Sequence, residues 1–214
     1  MEHVYVRRFS ESEAANKDRI WREITRFLQR YVDPNGTVID VGCDRGDFVR
    51  NIDAREKWAT DLRDVSRHLP PEITFVQTDG LSLAECVPTD YFDTVFMSNY
   101  LEHLPSNDAV IDQMKTAHDL LKSGGVVIIL QPNIRLVGGR YWDFIDHRVA
   151  LTEKSLVEVA ELTGFVPRCV IKRFLPYTTK SHLPKAPRVV RLYLRTRPAW
   201  LLFGKQSLIV AAKP

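Results

Sequence analysis

Three short stretches carry side chains whose types and spacing suit a nucleoside ligand. Residues 38–48 read VIDVGCDRGDF, an apolar run that enters a loop spaced Asp40-x-Gly42-x-Asp44-x-Gly46, with Cys43 and Arg45 between. Glycines at such a point let backbone approach a ligand, and a helix starting beyond them offers free N–H groups and the positive end of its dipole. The spacing is not the dinucleotide pattern G-x-G-x-x-G. Asp61 ends the next apolar run (ATDL, 59–62), about twenty residues on, where a carboxylate can accept from both hydroxyls of a ribose. Asp79 in QTDG (77–80) stands just past another run and could accept from an exocyclic adenine amine. Either acid alone reads equally well as a turn or cap residue. Placed at consecutive strand ends with the glycine loop, they point to one ligand.

The elements that must hold these residues follow from periodicity. A helix is expected from the capping-box spacing of Ser10 and Glu13 through Ile20, Trp21, Ile24, Phe27, Leu28 and Tyr31, stopped by DPNG at 33–36. Apolar runs predict strands over 37–41, 58–61, 73–77, 91–97, 126–130, 165–174 and 206–211, and helices over 46–52, 107–121 and 152–162. Ser123-Gly-Gly125 should cap the second of these helices. Short strands alternating with helices imply an α/β, Rossmann-like three-layer sandwich around a mainly parallel sheet. One domain over 1–214 is expected: a helical cap (1–36), a cofactor-binding core (37–135) and an acceptor-side segment (136–214). Within the last, the proline-punctuated stretch 176–198 should form an excursion or lobe.

Composition narrows the setting. Hydrophobic residues make up 44% and charged residues 27%, ordinary for a globular chain. No run approaches the ~20 apolar residues of a membrane span, and the N-terminus has no apolar signal region. The three cysteines (Cys43, Cys86, Cys169) share no C-x-x-C spacing, which favours reduced thiols in the cytoplasm over a zinc knuckle or disulfides. Charge is divided: residues 162–214 hold eleven Lys and Arg and no acid, whereas 1–161 hold 19 basic and 27 acidic residues. The last quarter of the chain should therefore face something anionic.

Residues 93–104 (DTVFMSNYLEHL) resemble the fourth-strand motif of class I methyltransferases of the type 11 group. Residues 120–133 (LLKSGGVVIILQPN) resemble their following helix, turn and fifth strand. The resemblance covers roughly 35–135. It implies a seven-stranded sheet ending in an antiparallel pair, and S-adenosylmethionine over strands one to four. Asp40, Gly42, Cys43 and Gly46 would line its methionine moiety, with Ser98 and Asn99 beside that end. Asp61 would hold the ribose, Leu62 would pack on adenine, and Asp79 with Gly80 would meet the adenine edge. Asp44 departs from the family, which usually has glycine there; its charge is awkward beside the cofactor carboxylate unless it faces the ammonium. A cofactor-binding partner protein without catalysis is the reading that this departure supports.

Residues 140–152 (RYWDFIDHRVALT) and 173–179 (RFLPYTT) resemble a bacterial subgroup found near glycosyltransferases, which implies a saccharide, glycolipid or small hydroxylated acceptor. Methylating a hydroxyl needs its proton removed, and histidine suits that at neutral pH. His147, beside Asp146, is the first candidate base and His103, after Glu102, the second. Tyr141, Trp142, Phe144 and Tyr177 could stack on a sugar ring, and Arg8 (near Tyr5) or Arg45 could pair with the cofactor carboxylate. No obligatory metal is expected; Asp143 and Asp146 are the carboxylates that a magnesium ion would take. In 185–203, Arg188, Arg191 and Arg195 recur at helical spacing among apolar residues and Trp200, as in an interfacial helix on anionic lipid. That would place the protein at the inner face of a membrane. The basic tail also leaves open an RNA or protein methyltransferase, although no RNA-recognition module supports nucleic acid, and self-association as a homodimer.

Overall fold

The amphipathic spacing of Ile24, Phe27 and Leu28 produces helix α1 (Glu11–Leu28), which buries that face. The computed structural model describes residues 11–177 and 186–214, the side chains of 11–15 excepted. Ser10, Tyr5 and Arg8 lie outside those residues. After α1, Asp33 closes a turn by accepting from the N–H groups of Gly36 (2.9–3.0 Å range, backbone carbonyl at 3.0 Å) and Asn35 (side chain at 2.9 Å). The chain then runs through β1 (Thr37–Val41), β2 (Glu56–Asp61), β3 (Ile73–Gln77), α2 (Leu83–Cys86), β4 (Phe92–Ser98), α3 (Asn107–Leu120) and β5 (Leu121–Pro132). It continues through α4 (Ile134–Val137), α5 (Glu153–Leu162), β6 (Val166–Ile171), α6 (Pro187–Arg195), α7 (Arg197–Phe203) and β7 (Gln206–Ala212).

The seven strands form one sheet in the order β3-β2-β1-β4-β5-β7-β6. β1 to β5 pair in parallel with one another, and β7 runs antiparallel to both β5 and β6. Strand order reverses between β1 and β4, so the ends of β1, β2, β3 and β4 border a switch-point crevice, the usual ligand position in open α/β sheets. One buried apolar cluster includes Met97, Met114, Leu120, Leu156 and Phe165; the other includes Leu28, Phe48, Phe96, Phe174 and Trp200. Phe48 stacks on Phe96 with centroids 3.6 Å apart, fixing the β1 loop to β4.

Four expectations are corrected. Residues 46–52 form successive turns instead of a regular helix: Asn51 Nδ2 takes the Asp47 carbonyl (2.9 Å), and the Asn51 N–H bonds Phe48 O (3.0 Å), one residue tighter than helical pairing. Ser123-Gly-Gly125 lies inside β5, not at a helix cap. Gly124 bulges at φ 82°, and Gly124 N and Gly125 O pair with the carbonyl and N–H of Lys213, each at 2.9 Å. The 165–174 strand shortens to Val166–Ile171. The described part of 176–198 is an excursion between β6 and β7 that packs back on the domain, not a separate lobe. α6 docks on α1, where the Arg191 guanidinium grips Glu23 through two bonds of 2.8 and 2.7 Å. Trp200 of α7 is buried against Phe27 and Phe174 and donates to Tyr193 O (2.8 Å).

Candidate cofactor and acceptor site

The β1 loop needs left-handed backbone at Gly42 (φ 69°), Asp44 (φ 51°) and Gly46 (φ 71°). Asp tolerates this region better than most residues. Cys43 N–H donates to Thr60 O (2.9 Å), tying the loop to β2. Asp40 is buried behind the loop, accepting from Val49 N–H at 3.4 Å, and burial pushes its carboxyl well above the usual range. Asp44 joins the loop to the end of β2: its N–H donates to Asp61 Oδ2 (3.0 Å), and its carboxylate receives Arg63 (3.1 Å) and Lys17 (3.3 Å). Arg63 also reaches Asp61 Oδ1 through Nε (3.1 Å). Burial would raise the Asp44 carboxyl, but the charge of Lys17, then that of Arg63, overcomes it and holds the group below its ordinary range. The charge that looked awkward in the sequence is thus answered within the protein by two cations. Neither was expected, although Arg63 stands two residues after the ribose candidate. Burial, then the charge of Arg45, lowers the proton affinity of His68.

Asp61, Asp79 and Ser98–Asn99 do converge at consecutive strand ends. Asp79 caps the turn after β3, accepting from Leu81 N–H (3.1 Å), so its structural role coexists with any ligand role. Leu62 is 69% exposed, as a surface for an adenine must be. Asn99 takes φ 48°, donates its backbone N–H to Leu130 O (2.9 Å) and its amide to Ser98 Oγ (2.9 Å). Tyr100 is the residue that sequence reasoning missed here. A Cβ on Gly42 would lie 2.5 Å from the Tyr100 ring, and one on Gly80 would collide with the Tyr100 hydroxyl. That hydroxyl donates to Gln113 Oε1 (2.8 Å). Its proton is held more tightly than usual by burial, then by the charges of Asp79 and Asp61. Gly42 and Gly80 make room for the Tyr100 ring, and the exposed Leu62 with the carboxylates at the strand ends is the part that fits an adenosyl group.

Past the ends of β4 and β5 lies a second cluster. Glu102, 1% exposed, receives Gln131 Nε2 on Oε2 (2.7 Å), while Oε1 is 3.9 Å from His103 Nε2 and 4.0 Å from His147 Nε2. The two imidazoles meet edge to face at 5.1 Å. Asp146 orients His103, not its neighbour His147: His103 Nδ1 lies 3.0 Å from the Asp146 carbonyl and 3.7 Å from Oδ2. The His147 ring instead packs on Phe144 (5.2 Å) and Tyr141 (4.8 Å), and its side chain is 6% exposed against 27% for His103. Tyr141 is fully buried with its hydroxyl on Val149 O (2.6 Å), which removes it from any sugar-stacking surface. Trp142 is half-exposed and Asp143 exposed. The Tyr177 hydroxyl is buried with no hydrogen-bond partner among the described residues; burial, then Glu102 and Asp143, push it up to about 12.

The chain has the fold of several solved methyltransferases. A SAM-dependent methyltransferase from Archaeoglobus fulgidus gives a TM-score of 0.65 at 20% identity, covering 90% of this chain and 92% of its own. One from Mesorhizobium loti gives 0.64 at 16%, covering 90% and 98%. One from Methanosarcina mazei gives 0.61 at 15%, covering 87% and 96%. No curated protein matches the sequence significantly. The family pattern described as a methyltransferase domain matches residues 13–170, most of the chain and all of β1 to β5. The chain therefore belongs to the methyltransferase-domain family, and S-adenosylmethionine is its expected cofactor.

Proposed function

We propose that the chain methylates a hydroxyl of a saccharide, glycolipid headgroup or other small hydroxylated metabolite. The observation that carries this reading is the Glu102–His103–His147 cluster past β4 and β5, a buried carboxylate facing two imidazoles on the acceptor side. S-adenosylmethionine supplies a methyl group on a sulfonium, which an acceptor oxygen can displace in line. Asp61, Leu62, Asp79 and Gly80 would hold the adenosyl part, with Tyr100 along its side. Asp40, Gly42, Cys43, Asp44, Gly46, Ser98 and Asn99 would shape the methionine end. Holding both reactants in register can itself account for ~7–11 kcal/mol of barrier. Removal of the hydroxyl proton falls to the cluster, where Asp146 orients His103. The half-exposed Trp142 and the partly exposed Phe144 would supply apolar surface for a sugar ring.

Calorimetric titration with S-adenosylmethionine and its demethylated product tests the first half. Micromolar affinity, about −8 kcal/mol, should weaken ~10–100-fold in Asp61→Ala if charge-assisted bonds to the ribose are lost. An acceptor screen beginning with sugars tests the second. No cofactor binding by the folded chain, or transfer only to RNA or amines, would sink the proposal.

A membrane-facing role has its own support. α6 and α7 expose Leu192 (66%), Leu201 (69%) and Leu202 (75%) beside Arg188, Arg195 and Arg197, a basic surface with apolar anchors. No described helix is long and apolar enough to cross a membrane. Co-sedimentation should show binding to vesicles containing phosphatidylglycerol and not to neutral phosphatidylcholine. Equal retention of a Leu201→Ser/Leu202→Ser variant would refute it.

A further inference from the structure

The donor atoms of Glu102, His103 and His147 lie within 4.8 Å of one another. Each group is already oriented by another contact. Glu102 Oε2 is engaged by Gln131, so Oε1 is the oxygen turned to the rings. His103 Nδ1 donates toward the Asp146 carbonyl at 3.0 Å, so Nε2 is the ring atom left facing Glu102. His147 is fixed by ring packing on Phe144 and Tyr141. Outer contacts of this kind are what orient metal-binding histidines.

Charge points the same way. Glu102 and Asp146 are both buried, and Asp146 Oδ1 has no hydrogen-bond partner among the described residues. A buried carboxylate oxygen without a partner beside two imidazoles leaves polar capacity in the cluster that a bound cation would satisfy. Around an ion with bonds of ~2.0–2.2 Å, adjacent ligand atoms stand roughly 3–3.5 Å apart. The observed 3.9 and 4.0 Å would need to contract by up to ~1 Å, and the widest separation in the set, up to 4.8 Å, by up to ~1.8 Å, within reach of side-chain rotation.

We propose that Glu102, His103 and His147 bind a divalent first-row transition-metal ion, with Asp146 as a positioning residue behind His103. Two imidazoles and one carboxylate suit the manganese-to-zinc series better than calcium. The remaining coordination positions would be open to an acceptor hydroxyl, whose acidity a bound cation raises. The two Nε2 atoms would then be ligands, and the cluster would loosen the hydroxyl proton through the ion. That use of the ion rests on the hydroxyl-methylation reading; its binding does not.

The test needs neither cofactor nor acceptor. The full chain, stripped with a chelator, is titrated with Co²⁺ followed by visible absorption and with Zn²⁺ by calorimetry. One ion per chain is expected. Glu102→Gln, His103→Ala and His147→Ala should each weaken binding by more than about 100-fold, Asp146→Asn by ~10-fold, and His68→Ala not at all. An unchanged far-ultraviolet circular dichroism spectrum and urea midpoint in Glu102→Gln, which preserves side-chain shape, show that the fold survives. No uptake at millimolar metal, or uptake indifferent to Glu102→Gln and His103→Ala, would overturn the site. Metal uptake with no methylation of any hydroxyl would instead fail the acceptor reading and leave the site standing.

Discussion

Gly80→Ala tests whether Tyr100 is clamped between the two bare glycines. The new methyl would collide with the Tyr100 hydroxyl and lie 2.7 Å from Gln113 Oε1 and 2.9 Å from Tyr100 Cζ. Retreat is blocked, because the ring already backs onto Gly42 and Gln113 is fully buried. Tyr100 must turn and give up its bond to Gln113. Overpacking costs about 1–3 kcal/mol, and leaving the Gln113 oxygen unpaired about 1–3 more. Tyr100→Phe alone incurs only the second cost. In the double variant the methyl still crowds the ring carbon and Gln113, but the unpaired Gln113 oxygen is counted only once. Its cost should therefore fall short of the sum of the single costs by ~1–3 kcal/mol. Urea denaturation of all four proteins, extrapolated linearly to water, measures the cycle. Costs that add to within ~0.5 kcal/mol would refute the clamp.

Glu23 is held at about 2 against an ordinary 4.5, chiefly by its bonds to Arg191, with burial opposing and Arg26 assisting. A depressed carboxyl contributes stability above its unfolded value and loses it as pH falls through the folded one. Melting temperature should thus fall between pH 4.5 and 2, and Glu23→Gln should flatten that part of the curve. Asp44→Gly should shift stability by no more than ~1 kcal/mol, since glycine accepts φ 51° while partly screened ion pairs are lost. Asp44→Val, with a branched side chain at positive φ, should cost more in the same denaturation assay. His103→Ala should lower kcat ~10²–10⁴-fold with cofactor affinity unchanged, read by steady-state kinetics beside calorimetry. An unchanged kcat would remove His103 from proton transfer.

The sheet was legible because each strand is a short apolar run and the turns between carry Gly, Asp and Pro. Val126–Leu130 alternates between two apolar layers, Val127 and Ile129 in one and Ile128 and Leu130 in the other, so local pattern and final burial agree. Contacts made across the chain were not legible. Asp146 and His147 are neighbours in sequence, yet the turn sends Asp146 to His103 and His147 to Glu102. Tyr141 looked like one of four exposed aromatics, but its hydroxyl found the Val149 carbonyl and drew it under the surface. The basic 176–198 stretch looked like a lobe because its partner, Glu23, lies 168 residues away from Arg191. Arg63 could have been found: a cation two residues past a strand-end Asp can fold back on it, as its Nε does here.

β7, last of the strands in sequence, lies inside the sheet between β5 and β6 and not at its rim. During synthesis, β1 to β5 can assemble as they emerge, but β6 has no neighbour to pair with until residues 206–212 arrive. A chain stopped short of that point would carry two bare strand edges and an uncovered helix pair, the kind of surface that seeks other chains. Completion of the molecule is consequently close to all-or-none: removing a few residues from β7 takes out an internal wall, whereas the same cut in β3 or β6 would only trim an edge.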